Sequence, residues 1–323
     1  MTNALLILFE SDTYIVGLVV ILAVLSALAV FLRRRMRHWL RWLCLSLLLL
    51  LWYVLLYGAF VGVRQLEVRH VEFASKDLPV AFDGYRIVQF SDAHVGALTG
   101  WRRQILQRAV DSINAQHGDI IVFTGDLQNK LPTEIGRHQQ MLSRLKAKDG
   151  VYAVLGNHDY SMYIDCDSCQ WEQNRQEVIA LEEKAGWKVL LNSHSIIRRG
   201  GDSIVIAGME NDGEDRFPQL GDINRTLHGI SQQSFVVMLE HAPTAWQRKI
   251  LPESHCQLTL SGHTHGGQFS LFGYSPSAFR YNENCGMCYV DDRAINVSAG
   301  LGGVIPIRFG VPPEITVITL RKK

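Results

Sequence analysis

The sequence predicts an α/β fold in which two sheets pack face to face with helices outside, preceded by a two-helix transmembrane hairpin. Three observations carry this. Short apolar, β-rich runs recur from Tyr85 onward, each stopping in polar or small residues, as buried strands do when they deliver side chains to loops. Helical periodicity alternates with them in the first half, and strands crowd together later, the pattern of two packed sheets. Two runs lack any charged side chain, Thr13 to Leu32 and Trp42 to Val63, and each is long enough to cross a bilayer.

The chain has 323 residues, enough for one large domain and an appendage. With 20% charged residues and a formal net charge of +1, it has no basic excess and so no nucleic-acid-binding signal. Between the apolar runs lies Arg33-Arg34-Arg35-Met36-Arg37-His38, with Arg41 just beyond. The positive-inside rule keeps such a loop cytoplasmic and sends everything after Val63 to the outer side. The expected organisation is a hairpin over residues 1–64, with spans at about 13–32 and 42–63, and one domain over residues 65–323. That describes a multi-pass protein of the cell (inner) membrane, with its domain on the extracytoplasmic side and the lipid bilayer as partner. A buried hairpin in a soluble protein is the competing reading. A cleavable signal peptide fits poorly, because no small-residue cleavage site separates the two runs.

Past the membrane, Arg64 to Phe73 alternates charge with Leu66, Val68 and Val71 and reads as an edge strand. Tyr85 to Phe90 is a strand ending in Ser91-Asp92-Ala93-His94. Trp101 to Gln116 is a helix with Ile105, Leu106, Ala109, Val110 and Ile113 on one face. Asp119 to Phe123 is a strand ending in Thr124-Gly125-Asp126. Gln139 to Leu145 is helical, and Val151 to Leu155 is a strand ending in Gly156-Asn157-His158-Asp159. After an irregular, acidic insert from Tyr160 to Gln170, Trp171 to Lys184 is helical. Strands follow at Lys188 to Leu191, Ser203 to Ala207, and Ser234 to Leu239, the last ending in Glu240-His241. Gln257 to Leu260 ends in Ser261-Gly262-His263-Thr264-His265, and strands at Ala294 to Val297 and Glu314 to Leu320 close the chain.

Five polar clusters therefore stand at strand ends: Asp92/His94, Asp126, Asn157/His158, His241 and His263/His265. In open α/β sheets, ligands bind outside the carboxyl ends of strands. Carboxylate, amide and imidazole donors suit divalent Mn, Fe or Zn, and residues at i and i+2 leave a strand end pointing the same way. A pair of metals in such a site clamps both the attacking and the leaving oxygen of a phosphoryl displacement.

At these residues the sequence resembles the calcineurin-like metallophosphoesterases. The ordered blocks Asp-x-His, Gly-Asp, Gly-Asn-His-Asp, a lone His and Gly-His-x-His all occur between Asp92 and His265. It is similar in particular to a membrane-anchored bacterial branch, through Gly84-Tyr85-Arg86-Ile87-Val88, Gly262 to Gln268 and Arg308 to Ile315. The resemblance implies a four-layer α/β/β/α sandwich of two mixed sheets and a metal-dependent phosphoric ester hydrolase. It implies one metal on Asp92, His94, Asp126 and His265, and a second on Asp126, Asn157, His241 and His263. It assigns His158 to the leaving-group oxygen and implies hydrolysis by metal-activated hydroxide. Where many relatives carry a carboxylate that orients the catalytic His, this chain has Asn129, which can accept a hydrogen bond but brings no negative charge.

Cys166-x-x-Cys169 and Cys285-x-x-Cys288 are two further units, read either as a four-thiolate structural zinc site or as disulfides. Trp101, Arg102 and Arg103 could grip a phosphate or lie on an exposed helix face. The expected activity is hydrolysis of phosphomonoesters or phosphodiesters, with lipid-linked or envelope phosphates as candidate substrates. Two alternatives stand beside it. One is a pyrophosphatase on a UDP-sugar lipid of the lipid A precursor type, which needs a cytoplasmic site; the other is a non-catalytic metal-binding module.

Overall fold

Among the described residues, twelve strands form two six-stranded sheets, and in the computed structural model of the chain each is built around four parallel strands. The structure describes residues 2–32, 36–165 and 167–323, without the side chains of residues 2–14 and 32. Across the first sheet run β1 (Glu67–Ser75), β12 (Glu314–Lys322), β2 (Arg86–Phe90), β3 (Ile120–Thr124), β4 (Val151–Val154) and β5 (Lys188–Val189). Across the second run β10 (Gly286–Val290), β11 (Arg293–Val297), β9 (Leu258–Ser261), β8 (Phe235–Leu239), β7 (Asp202–Gly208) and β6 (Ser193–Arg199). Antiparallel pairings of β12 with β2, of β10 with β11 and of β6 with β7 make both sheets mixed.

The period-2 alternation of strands explains the layering. In β2, Ile87 faces the second sheet with Ile120, Val122, Ile206, Val237 and Leu260, while Val88 and Phe90 face outward. The outward face is covered by α3 (Arg103–Ala115), whose Ile105, Leu106, Ala109, Val110 and Ile113 form the apolar stripe read from the sequence. α4 (Ser168–Lys184) lies beside it through Val178. On the far side, Trp246 and Ile250 cover Val205, Val236 and Ile295. The result is the four-layer α/β/β/α sandwich. β6 and β10, which the sequence pattern did not expose, are the two edges of the second sheet.

Two helices precede the sandwich, α1 (Thr2–Leu32) and α2 (His38–Phe60). Both extend N-terminally past the uncharged runs that signalled them. The segment His38–Arg64 is long and apolar enough to cross a membrane, whereas the apolar part of the first helix, Ile15–Phe31, is shorter. The two pack as a pair, with the Trp52 indole N–H donating to Ser26 Oγ at 3.2 Å. Arg33, Arg34 and Arg35, the core of the expected cytoplasmic loop, lie outside the described residues.

Candidate metal centre

All five clusters converge. β2, β3 and β4 of the first sheet and β8 and β9 of the second end on one side of the sandwich, and their following loops meet between the sheets. Asp92, His94, Asp126, His263 and His265 all have positive φ, between 43° and 73°. Left-handed backbone costs a non-glycine residue on the order of 1–3 kcal/mol and persists only where the surroundings over-determine it. Here they do: the Asp92 amide donates to the Gly125 carbonyl at 2.9 Å and the His94 amide to the Asp126 carbonyl at 3.1 Å. A side chain at Gly156 would collide with the Asp126 carboxylate, so only glycine lets the two loops come together.

The candidate donor atoms fall into two groups on either side of Asp126. In the first, His94 Nε2 is 3.2 Å from His265 Nε2, His265 Nε2 is 3.4 Å from Asp92 Oδ1, and His94 Nε2 is 3.7 Å from Asp126 Oδ2. In the second, His241 Nε2 is 3.3 Å from Asp126 Oδ2 and 3.1 Å from Asn157 Oδ1, and His263 Nδ1 is 2.8 Å from the same amide oxygen. Donor atoms about 2.1 Å from one cation stand about 3.0–3.4 Å apart at tetrahedral or octahedral angles. Four of the six spacings fall in that range and the other two, 2.8 and 3.7 Å, lie just outside it, and three groups of converging ligand atoms overlap through Asp92, His94 and Asp126. The residues present therefore fit divalent metal.

Outer contacts fix the donors. His241 Nδ1–H donates to the Thr124 carbonyl at 2.7 Å, which turns Nε2 inward as the nitrogen available to a cation once its proton is displaced. Asn157 Nδ2 donates to the Tyr163 hydroxyl at 2.9 Å, turning Oδ1 toward the centre. His263 Nε2 lies 3.2 Å from the Tyr281 hydroxyl. Asp159 accepts from the amides of Asp126, Leu127, Gln128 and Gly156 at 2.7, 2.9, 3.2 and 2.9 Å, binding the β3 and β4 loops together. It is thus engaged with main chain and is not an orienting partner for His158.

His158 differs from the sequence expectation in its partner. Its Nδ1 is 2.6 Å from the main-chain carbonyl of Asn129, while the Asn129 side-chain oxygen is buried without a hydrogen bond. The buried carboxylate of Glu134 holds that carbonyl in place by accepting from the amides of Asn129, Lys130 and Leu131 at 2.6, 3.2 and 3.3 Å. Tyr163 stacks on the imidazole with ring centroids 4.1 Å apart and planes 21° off parallel. The His158 amide donates to Asp126 Oδ1 at 2.8 Å, so this one residue touches the shared carboxylate through its backbone.

Electrostatics favour a cation. Burial, aided by His158, pushes His94 down to about 3, and burial, aided by His241, does the same for His263. Burial also takes His265 well below its ordinary value. These three are neutral donors at any physiological pH. Burial opposes ionisation of Asp126, but interaction with the neighbouring imidazoles, His241 first, outweighs it and holds the carboxyl well below the usual range. Burial lowers His241, and Asp126 more than reverses this, raising it to about 10; burial raises Asp92 to about 7. Without metal, then, a proton on His241 compensates Asp126. A cation must displace it, so raising the pH from about 6 to 8 should tighten metal binding about tenfold per pH unit for each proton released. Calorimetric titration with Mn at several pH values checks this; a pH-independent affinity contradicts it.

The cysteines give a different picture. Cys166 lies outside the described residues, and Cys169, Cys285 and Cys288 carry free thiols. Among the described residues, no group of three converging ligand atoms includes a cysteine. Sequence reasoning missed Tyr163, Tyr281 and Glu134, and no periodicity or motif marks them. It had Arg308 only as part of a closing segment. The buried guanidinium of Arg308 donates to the carbonyls of Ala299 at 2.8 Å and Gly302 at 2.6 Å, holding the turn behind Asp92.

Comparison with known proteins agrees with this geometry. A model of the calcineurin-like phosphoesterase family matches residues 85–267, from the start of β2 to the last histidine cluster. A transmembrane protein with metallophosphoesterase domain from Danio rerio is 32% identical over 276 residues, covering 82% of this chain and 60% of that protein. The metallophosphoesterase YkuE of Bacillus subtilis is 32% identical over 275 residues, covering 82% of this chain and 89% of its own length. A metallophosphoesterase of Aquifex aeolicus is 27% identical over 262 residues, covering 80% and 93%. By motif order, ligand geometry and family match, the chain belongs to the calcineurin-like phosphoesterases.

Proposed function

We propose that the chain is a membrane-anchored, dinuclear-metal phosphoesterase that hydrolyses phosphomonoesters or phosphodiesters. The observation that carries this reading is Asp126, whose Oδ2 faces His94 on one side and His241 on the other, at 3.7 and 3.3 Å. Asp92, His94, Asp126 and His265 would hold one divalent ion, and Asp126, Asn157, His241 and His263 the other. The mixed nitrogen and oxygen donors suit Mn, Fe or Zn. When bound, such a pair supplies Lewis-acid stabilisation of phosphoryl oxygens and a more acidic water.

The chain's own contribution is positioning and proton transfer. With Nδ1–H on the Asn129 carbonyl, His158 keeps Nε2 free to hand a proton to the departing ester oxygen. Tyr163 and the amide contact to Asp126 hold its ring beside the shared carboxylate. The catalytic domain faces away from the cytoplasm, supported by the arginines between the two helices. A reporter that is active only outside the cytoplasm, fused after Lys323, should be active; activity of a cytoplasmic reporter at that position contradicts the orientation.

The function itself is tested on a panel of aryl phosphomonoesters, aryl phosphodiesters and a nucleotide diphosphate, with the chain stripped of metal and then reloaded with Mn. Mn-dependent hydrolysis of a monoester or diester is expected. Cleavage confined to the diphosphate indicates a pyrophosphatase, and inertness toward all three indicates a non-catalytic module.

A further inference from the structure

The outer end of α2 does not stand clear of the catalytic domain. The Arg308 amide donates to the Gly58 carbonyl at 3.1 Å, and a side chain at Gly62 would collide with the Arg308 carbonyl. Phe60 stacks on Trp101 with centroids 6.1 Å apart, and Phe309 meets Tyr57 and Tyr53 edge-on at 5.5 and 6.4 Å. Tyr53 lies about 10 Å down the helix from Phe60 at a rise of 1.5 Å per residue. A hydrocarbon core about 30 Å thick takes about 20 residues of helix, nearly all of the 23 in α2. The Phe309 contact is therefore at the depth of the bilayer surface or below it. With α2 across a bilayer, these contacts would hold the domain against the membrane surface.

Phe309 carries a second loop with it. Phe269 stacks on Phe309 at 5.6 Å, the Ser270 amide donates to the Phe309 carbonyl at 2.7 Å, and Gln268 Nε2 ties the Ile305 and Ile307 carbonyls at 2.8 and 2.9 Å. On this loop Phe272, Tyr274 and Phe279 are 92%, 82% and 96% exposed, beside the exposed Leu271 and Ile305. Moving such side chains out of water is favourable, and aromatic residues settle at the membrane–water boundary. From Gln268 to Tyr281 there is no acidic residue to oppose anionic head groups. The same loop begins three residues after His265 and ends at Tyr281, the partner of His263. One loop thus joins the exposed aromatic side chains to the candidate metal centre.

We propose that residues 268–281, with Ile305 and Phe309, form a bilayer-inserted rim of the active site, through which the site takes the phosphoester of a membrane-embedded lipid. The insertion stands on the contacts with α2; the substrate clause rests also on the phosphoesterase reading. Insertion is tested with the full chain in phosphatidylcholine vesicles containing phosphatidylglycerol, using acyl chains brominated near the glycerol. Phe272→Trp and Phe279→Trp should each add tryptophan emission that bromine quenches. Val80→Trp, 72% exposed at the opposite end of β2, should add emission that it does not. Absence of quenching at both loop positions overturns insertion, as it would if a second copy of the chain covered the loop.

The substrate clause is tested with phosphatidic acid and phosphatidylglycerol in vesicles against soluble aryl phosphate esters. In a Phe272→Ser/Phe279→Ser chain the ratio of lipid to aryl-ester hydrolysis should fall about tenfold or more. An unchanged ratio, or aryl-ester hydrolysis with neither lipid cleaved, overturns that clause. Quenching at Phe272→Trp and Phe279→Trp, with a wild-type chain that hydrolyses no ester, keeps insertion and overturns the substrate clause together with the phosphoesterase reading.

Discussion

Asp126→Asn should abolish binding of the proposed metal pair as a unit and lower kcat/KM on the order of 10³-fold or more, because both proposed half-sites would lose their shared anion. The side chain is buried and bounded by His94 and His241 at 3.7 and 3.3 Å, so the smaller charge of an amide cannot be made up by water. Asn would also present an N–H₂ group to one of the two imidazoles or to the His158 amide, which now donates to Oδ1 at 2.8 Å. Metal content measured beside activity separates this from misfolding. A variant that keeps two ions per chain and more than about a tenth of wild-type kcat/KM removes Asp126 from the role of shared ligand.

His158→Ala should behave differently. The imidazole lies at the edge of the cluster, half-buried, and its loss leaves all seven proposed metal-holding side chains in place. Metal content should therefore stay at the wild-type level while kcat falls on the order of 10²–10⁴-fold, the usual contribution of a positioned acid. The loss should be largest for alkyl esters, whose leaving oxygen needs a proton, and smallest for nitrophenyl esters, whose leaving group departs as a stable anion. Equal losses on both ester types would contradict proton donation and leave His158 a role in binding the phosphoryl group.

Much of this site could be read from residue types alone. The five clusters were visible because each follows a short apolar strand buried along nearly its whole length, and strand ends fix where the next two side chains go. The helix stripe on α3 was equally plain, since Ile105, Leu106, Ala109, Val110 and Ile113 recur at helical spacing. β6 and β10 were not. As sheet edges they are covered on fewer sides, and Ser193, His194 and Arg198 in one and Gly286 in the other break the apolar pattern.

The contacts around His158 were illegible for another reason. A search for an orienting group looks at side chains, and Asn129 supplies a main-chain carbonyl that any residue could offer. What selects the position is Glu134, a buried carboxylate five residues on, which shapes the backbone and touches nothing catalytic. Similarly, Asp159 reads as one more acid in a cluster of ligands. Its four amide contacts make it the clasp between two loops. The joining of α2 to Phe309 depends on residues some 250 positions apart in the chain, and no local pattern carries such information.

The most direct test of a dinuclear phosphoesterase is hydrolysis of a phosphate diester measured against bound Mn per chain, from the stripped protein to saturation. Activity should stay near zero until the second ion binds and reach its plateau at two ions per chain. Full activity in the stripped chain, or a plateau at one ion, would contradict the account.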